Sequence, residues 1–389
     1  MAEDKIIYYL FLIFSGAAIL ATITLYARQT MIVAYILLGI LLSPSALNLV
    51  PDIGLIQHIA DIGIIFLLFL LGLNLHPQKL YKLFSHTLFI TLVSSSLFAV
   101  VGTCFSLLAG FTLNDALLIG ATMMFSSTII GLKLLPTTVL HHQYTGELII
   151  SILLLQDIIA IVILLLIRVK GITDISHSHL LLPLLALPGL VLFAHVIQKY
   201  LLSHLLMKFD TIQEYVFLLA IGWCLGIAEL AKWLGLSAEI GAFIAGVVIA
   251  ASPISTFIAE KLKPLRDFFL ILFFFALGAT TRLDMIADVL IPALLLALIM
   301  LALKPVIFRL LMGRAGEKPK LASEVGIRLG QISEFSLLIA VLAVAQGLMS
   351  ERALSLIQAS TLITFMVSPY LIVFRYPTPI SVNPDLRRD

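Results

Sequence analysis

The stretch Ile149–Ile167, IISILLLQDIIAIVILLLI, is an apolar run of helix length with one ionisable residue, Asp157, near its middle and the amide of Gln156 beside it. A run this long and this apolar reads as a transmembrane helix. A carboxylate near the bilayer midplane costs roughly 3 kcal/mol on insertion scales, so it needs a partner or a purpose. One reading is a structural Asp bonded to hydroxyls of a neighbouring helix. The other, which the rest of the chain favours, is a carboxylate that binds a proton or a cation in turn.

Of 389 residues, 61% are hydrophobic and only 12% are charged. A soluble domain carries about 25% charged residues, so the composition describes a polytopic membrane protein. The N-terminal MAEDKIIYYLFLIFSG lacks the basic start and small-residue cleavage pattern of a signal peptide and reads as a retained first span. Cys104 and Cys224 both lie in apolar runs, which indicates neither a disulfide framework nor a cysteine metal site. The nine histidines show no metal-ligand spacing. No nucleophile–base pair, HExxH motif or phosphate loop occurs, so an enzyme is the least supported reading and neither a cofactor nor a nucleic-acid partner is expected.

Apolar runs separated by short polar breaks give thirteen candidate spans, at 6–26, 31–48, 53–75, 86–110, 114–138, 148–168, 178–204, 211–232, 237–252, 265–282, 287–312, 321–346 and 353–375. An odd number places the termini on opposite sides. The side shared with the C-terminus would hold fifteen Lys and Arg residues, from Arg28 to Arg388, and the other side six: Lys5, Arg168, Lys170, Lys232, Arg282 and Arg352. The positive-inside rule therefore puts the C-terminus in the cytoplasm and the N-terminus outside. The chain thus reads as a transmembrane domain over 1–375 with a short cytoplasmic tail, 376–389.

An internal repeat organises the spans. FLLGLNL (Phe69–Leu75) matches FALGATT (Phe275–Thr281), with Gly72 and Gly278 separated by 206 residues. Gly39 and Gly246 are 207 apart, and Ser43-Pro44 and Ser252-Pro253 are 209 apart. A similar offset carries Ser126-Ser127-Thr128 to Ile332-Ser333-Glu334, and Asp157 to the neighbourhood of Ile363. Two six-span halves, 6–168 and 211–375, then flank a linker span at 178–204, and an odd linker makes the halves inverted relative to each other.

Polar residues interrupt two of these spans at matching places. GATMMFSSTIIGLKLLP breaks at Ser126-Ser127-Thr128, and GIRLGQISEFSLLIA breaks at Gly330-Gln331, Ser333 and Glu334. Hydroxyls bonding back to their own helix would account for either span alone. The pairing favours a second reading, in which both helices unwind at mid-membrane and their freed carbonyls and half-helix ends help hold a cation. Lys304 lies at mid-depth in LIMLALKPVIFRLL. Asp157, Glu334 or the broken backbone would serve as its partner. Lys133 reads as a snorkelling residue. Asp52, Asp61 and Asp115 complement helix dipoles at span starts, while Glu229 and Glu239 read as solvated or capping groups.

QDIIAIV (156–162), MMFSSTIIGLKLL (123–135), LFLLGLNL (68–75), SAEIGAFIAGVVIA (237–250), LFFFALG (272–278) and GQISEF (330–335) together resemble the monovalent cation:proton antiporter-2 family, and within it the glutathione-gated potassium-efflux (Kef-type) proteins. The resemblance implies an all-α fold of thirteen helices in two inverted repeats, with two crossed discontinuous helices in a core that moves against a dimerisation domain. It also implies a homodimer in a bacterial inner membrane. By position, Asp157 would be the ion- and proton-binding carboxylate, Ser127 and Thr128 part of one broken helix, Gln331, Ser333 and Glu334 part of the other, and Lys304 the core lysine. The electrogenic sodium/proton relatives have two adjacent carboxylates where this chain has Gln156-Asp157, so the resemblance implies electroneutral exchange. Asn74 replaces the usual acidic residue of the family's GLE motif. The sequence ends at RYPTPISVNPDLRRD without the nucleotide-binding domain usual in Kef-type chains, and reads as a short member or a piece of a longer one.

The function expected is exchange of a monovalent cation, potassium first and sodium as the alternative, for protons, with both competing for Asp157. Ser126, Ser127, Thr128, Gln156, Gln331, Ser333 and Glu334 would surround that carboxylate. A gated potassium channel is the second class, separated from an exchanger by the absence of obligate proton flux. An organic-anion symporter is a third, and Lys304 alone among carboxylates suits it poorly.

Overall fold

A computed structural model of the chain describes residues 2–27, 29–74, 77–135, 144–170, 177–209, 212–236, 238–250, 252, 254–281 and 283–378. Lys133's side chain, Asn74's side chain, the His141-His142 loop and residues 379–389 of the tail lie outside what is described. The elements along the described residues are helices. In order, α1 is Ala2–Tyr26, α2 Met31–Leu42, α3 Gly54–Asn74, α4 Pro77–Leu108, α5 Leu113–Met123, α6 Thr128–Lys133, α7 Tyr144–Lys170 and α8 His177–Ile197. A π-helical turn at Gln198–Leu202 leads into α9 (Ser203–Lys208). Then come α10 Gln213–Trp233, α11 Ala238–Ala250, α12 Ser255–Ala279, α13 Leu283–Arg314, α14 Pro319–Arg328, α15 Glu334–Ala345 and α16 Glu351–Val373.

Among the described residues, seven helices are long and apolar enough to cross a membrane: those covering Ile6–Tyr26, Thr87–Leu108, Tyr144–Leu164, Ala186–Leu206, Gln213–Trp233, Asp284–Arg314 and Glu351–Val373. Five further apolar helices are shorter. The difference from thirteen has identifiable causes. The expected spans 114–138 and 321–346 are each divided into two helices, α5 with α6 and α14 with α15. The span expected from 265 belongs to α12, which starts at Ser255 and carries Glu260, Lys261, Lys263, Arg266 and Asp267 in its first half.

The residues fall into two compact units, each drawing on both halves of the chain: 1–14, 41–81 and 168–280 in one, 15–40, 82–167 and 281–389 in the other. In the first unit α3 packs on α11 with backbone against backbone. A Cβ on Gly72 would lie 2.5 Å from the Phe243 carbonyl oxygen and 2.8 Å from Val247 N. A Cβ on Gly246 would run into the Phe69 carbonyl. Close approach of this kind is how small residues let membrane helices associate. Trp223 on α10 donates its indole N–H to the Ala245 carbonyl at 3.1 Å, tying α10 to α11.

In the second unit, α4, α7, α13 and α14 share a core that includes Ile90, Phe98, Ile152, Phe308 and Val325. Gly326 on α14 lets that helix meet α13 at Pro305, whose carbonyl would stand 2.8 Å from an added Cβ. This packing fixes α13 and its Lys304 beside the divided helices.

Candidate functional site

The site is built from the two chain interruptions, Met124–Ser127 between α5 and α6 and Leu329–Ser333 between α14 and α15. Each second helix starts with a serine cap. Ser127 Oγ accepts from Ile130 N at 3.2 Å, and Ser333 Oγ accepts from Phe335 N at 3.1 Å. Such caps satisfy amides that a helix start leaves unbonded, so the sequence restarts each helix at a definite residue.

The two interruptions are bonded to one another. Ser126 Oγ donates to the Leu329 carbonyl at 2.8 Å, and Gln331 Nε2 donates to the Ser127 carbonyl at 3.2 Å. On α15, Ser336 Oγ donates to the Thr122 carbonyl of α5 at 2.5 Å. Non-helical backbone at membrane depth requires partners of this kind, because no water is available to supply them.

Lys304, fully buried, closes the crossing. Its ammonium donates to the Phe125 carbonyl at 2.5 Å and to the Gln331 carbonyl at 3.0 Å, one from each interruption. It also lies 5.3 Å from the centre of the Phe98 ring. Of the three partners the sequence left open, the broken backbone is therefore the one it takes. The chemistry is sound: these carbonyls follow the C-terminal ends of α5 and α14, where helix dipoles favour a cation.

Asp157, 2% exposed, reaches this crossing from α7. Thr128 Oγ1, on the first residue of α6, is placed 3.4 Å from both of its carboxylate oxygens. These are long contacts for O–H···O bonds, so the carboxylate is weakly held by protein donors. Gln156, its neighbour, faces the first interruption instead: its Oε1 accepts from Ser126 N at 2.9 Å. Its Nε2 is buried and has no hydrogen-bond partner among the described residues. Glu334, the first residue of α15, is within electrostatic reach of Asp157.

The expected residues thus assemble at one place, but in different capacities. Thr128 approaches Asp157, and Glu334 acts on it electrostatically. Ser126, Ser127, Gln156, Gln331 and Ser333 are engaged in holding the backbone. Other participants went unremarked in the sequence. Thr364 and Ser368 on α16 bond the second interruption, Ile332 N donating to Thr364 Oγ1 at 3.2 Å and Ser368 Oγ donating to Gln331 Oε1 at 3.0 Å. Their signal was a run of hydroxyls at helical spacing in the last apolar run.

Arg328, fully buried at the end of α14, also escaped notice. It pairs with Glu324 at 2.9 Å and donates to the carbonyls of Leu134 at 3.0 Å and Pro377 at 2.9 Å. An arginine inside an expected span was itself the signal. Asp115 has a wider role than dipole compensation. Its two oxygens accept from Ser350 N and Ser350 Oγ, both at 2.9 Å, so it joins the start of α5 to the start of α16. Glu229 pairs with Lys232 at 3.3 Å, both well exposed, as a solvated residue would.

Interrupted helices that bond one another are a recurring way in which secondary transporters build their ion and substrate sites. The chain belongs to the sodium/hydrogen exchanger (transmembrane) family, whose model matches residues 10–374. Among relatives, the K(+) efflux antiporter 4 of Arabidopsis thaliana is 28% identical over 355 residues, covering 89% of this chain and 60% of the relative. The K(+) efflux antiporter 6 of the same plant is 28% identical over 359 residues, covering 90% of this chain and 59% of the relative. This chain therefore spans about 60% of the length of those proteins. Among solved structures, the sodium proton antiporter MjNhaP1 from Methanocaldococcus jannaschii superimposes with a TM-score of 0.72 at 18% identity, covering 95% of this chain and 96% of that one. The family expected from the motifs is borne out, and the likeness to MjNhaP1 is one of fold.

Proposed function

We propose that this protein exchanges potassium for protons across a membrane, one proton against one cation, with Asp157 as the group that holds each in turn. The observation that carries the proposal is the state of that carboxylate: buried, beside the crossing, and approached by the Thr128 hydroxyl at a distance that leaves its lone pairs available. A cation arriving there meets carboxylate and hydroxyl oxygens, the ligands hard monovalent cations take. A proton arriving there removes the charge that binds the cation. Because one site serves both, each must leave before the other enters, which couples the fluxes. Lys304 is committed to the backbone carbonyls of the two interruptions.

The relatives named K(+) efflux antiporters favour potassium. Sodium is the second reading, favoured by the fold shared with a sodium proton antiporter. In the proposed architecture thirteen spans form two inverted repeats of six, 6–168 and 211–375, around a linker at 178–204. The C-terminus is cytoplasmic, the membrane is a bacterial inner membrane, and the protein works as a homodimer. Equivalent positions support the repeat. The carbonyls that receive Lys304 belong to Phe125 and Gln331, the helix caps are Ser127 and Ser333, and the residues after them are Thr128 and Glu334, each pair 206 residues apart.

The test uses proteoliposomes with an internal pH dye and an imposed outward proton gradient. Potassium, sodium, lithium or rubidium is added with and without a voltage clamp, for wild type and Asp157→Asn. A potassium response that ignores the clamp and is lost in the variant is expected. Full proton-coupled exchange by Asp157→Asn would sink the mechanism, and an ion current without proton movement would make the protein a channel.

A further inference from the structure

The hydroxyls of α16 have a part in this site that neither the motifs nor the family match assigns. Thr364 and Ser368 are one helical turn apart, so they project from the same face. Both are buried. They meet two consecutive residues of the second interruption. Thr364 Oγ1 accepts from Ile332 N at 3.2 Å while giving its own proton to the Thr361 carbonyl at 2.9 Å. Ser368 Oγ donates to Gln331 Oε1 at 3.0 Å.

The Ser127 carbonyl, which can only accept, sets which way the Gln331 carboxamide points, and the Ser368 hydroxyl then meets Oε1 as its donor and holds the side chain there. Nε2 donates to the Ser127 carbonyl at 3.2 Å. The reversed amide would set oxygen against carbonyl oxygen and lose that bond. The Ser127 carbonyl already receives Gly131 N at 3.0 Å, the first hydrogen bond of α6. Gln331 therefore occupies its remaining lone pair. Thr128, the next residue, carries the hydroxyl that faces Asp157.

We infer that Ser368 is a positioning residue for the cation site, with Thr364 holding the next backbone amide: through Gln331, Ser368 fixes the Ser127 carbonyl and the Thr128 hydroxyl after it, and Gln331 acts as a brace rather than a cation ligand. The inference rests on the exchange reading above and deepens it. A brace of this kind acts on cation affinity and discrimination, because it sets where oxygens stand without contacting the ion. Removing it frees a carbonyl oxygen next to the site and loosens the hydroxyl. Turnover, governed by the movement of the protein, changes less.

The test compares wild type, Ser368→Ala, Ser368→Cys and Ser368→Thr in the proteoliposome assay, with exchange rates measured against potassium and sodium concentration. Heat protection of the detergent-solubilised protein by each cation gives a second, transport-independent measure of binding. Loss of one neutral hydrogen bond predicts an apparent KM for potassium raised about threefold to tenfold in Ser368→Ala. The potassium-to-sodium KM ratio should also change, and kcat should change less than KM. Ser368→Thr keeps the hydroxyl and restores wild-type values, and Ser368→Cys, a weaker donor, falls between them. The cysteine variant carries the test if the alanine variant does not fold. Wild-type KM values for both cations in Ser368→Ala, or a fall in kcat with folded yield at constant KM, would show a merely structural hydroxyl and overturn the inference. Should wild type itself neither exchange nor be protected by any cation, the functional reading falls and takes this inference with it. A working wild type beside an indifferent Ser368→Ala removes the inference alone.

Discussion

Replacing Lys304 by methionine tests the central claim about the crossing, that a buried ammonium holds two carbonyls rather than a carboxylate. Methionine keeps the length and apolar stem of the side chain while removing the charge and the donors. Two bonds disappear, to the Phe125 and Gln331 carbonyls, together with the contact over Phe98. Bonds from charged donors are worth about 1.5–3 kcal/mol each, and a cation over an aromatic face about 2 kcal/mol when desolvated. Against this stands relief from burying an ammonium, several kcal/mol in real proteins. What remains is two buried carbonyls without donors, at about 1–3 kcal/mol apiece. The balance is a loss of roughly 2–6 kcal/mol, read as a melting midpoint lowered by about 2–7 °C in detergent.

Lys304→Gln keeps one N–H donor in reach and should fall between wild type and methionine. The decisive measurement is a double-mutant cycle with Asp157→Asn. If the ammonium serves the backbone, the two substitutions add to within about 0.5 kcal/mol, the behaviour of sites without a shared partner. A coupling of several kcal/mol, with Asp157→Asn rescuing Lys304→Met, would mean that the two charges pair and would refute the reasoning.

Two further outcomes follow from the packing. Arg328→Met removes donors from the Leu134 and Pro377 carbonyls and leaves Glu324 without its partner. Breaking a buried pair on one side is destabilising by about 3–5 kcal/mol, and the partial exposure of Glu324 puts the expectation at the lower end; a melting point within a degree of wild type would contradict it. Gly246→Ala drives a methyl into the Phe69 carbonyl where α3 crosses α11. Overpacking of this sort costs about 1–3 kcal/mol, so folded yield and melting point should both drop, and an unaffected variant would show that the helices are not in backbone contact.

What could be read from the sequence, and what could not, divides along a physical line. The bilayer demands apolar helices and tolerates polar breaks only where they are bonded or functional, so the helical runs and the two interruptions were legible. Partnership was not. Lys304 had three chemically adequate partners, and only the three-dimensional crossing chooses between them. Gln331 is ambiguous for the same reason, since a carboxamide can bind a cation or brace a backbone with the same atoms. The glycines show a different limit. Gly72 was matched to Gly278 by offset, yet the residue it touches is Gly246, because equivalence in a repeat and contact in space are separate relations.

On the proposed repeat, those relations coincide at one point, and the coincidence explains an asymmetry. Phe98 and Lys304 are 206 residues apart and are in contact, ring to ammonium. Two equivalent residues that touch must lie near the axis relating the repeats. Near such an axis one cation can reach the equivalent carbonyls of both halves, as Lys304 reaches Phe125 and Gln331. A second lysine there would add a like charge in a medium of low dielectric and would have no carbonyl left to serve. One half therefore keeps the lysine while the other supplies an aromatic face. The position equivalent to Asp157 in the second half is the apolar Ile363. On that proposed repeat, the duplicated frame carries one α7-type carboxylate and one lysine. That is the composition a site requires if a single proton and a single cation are to compete for it.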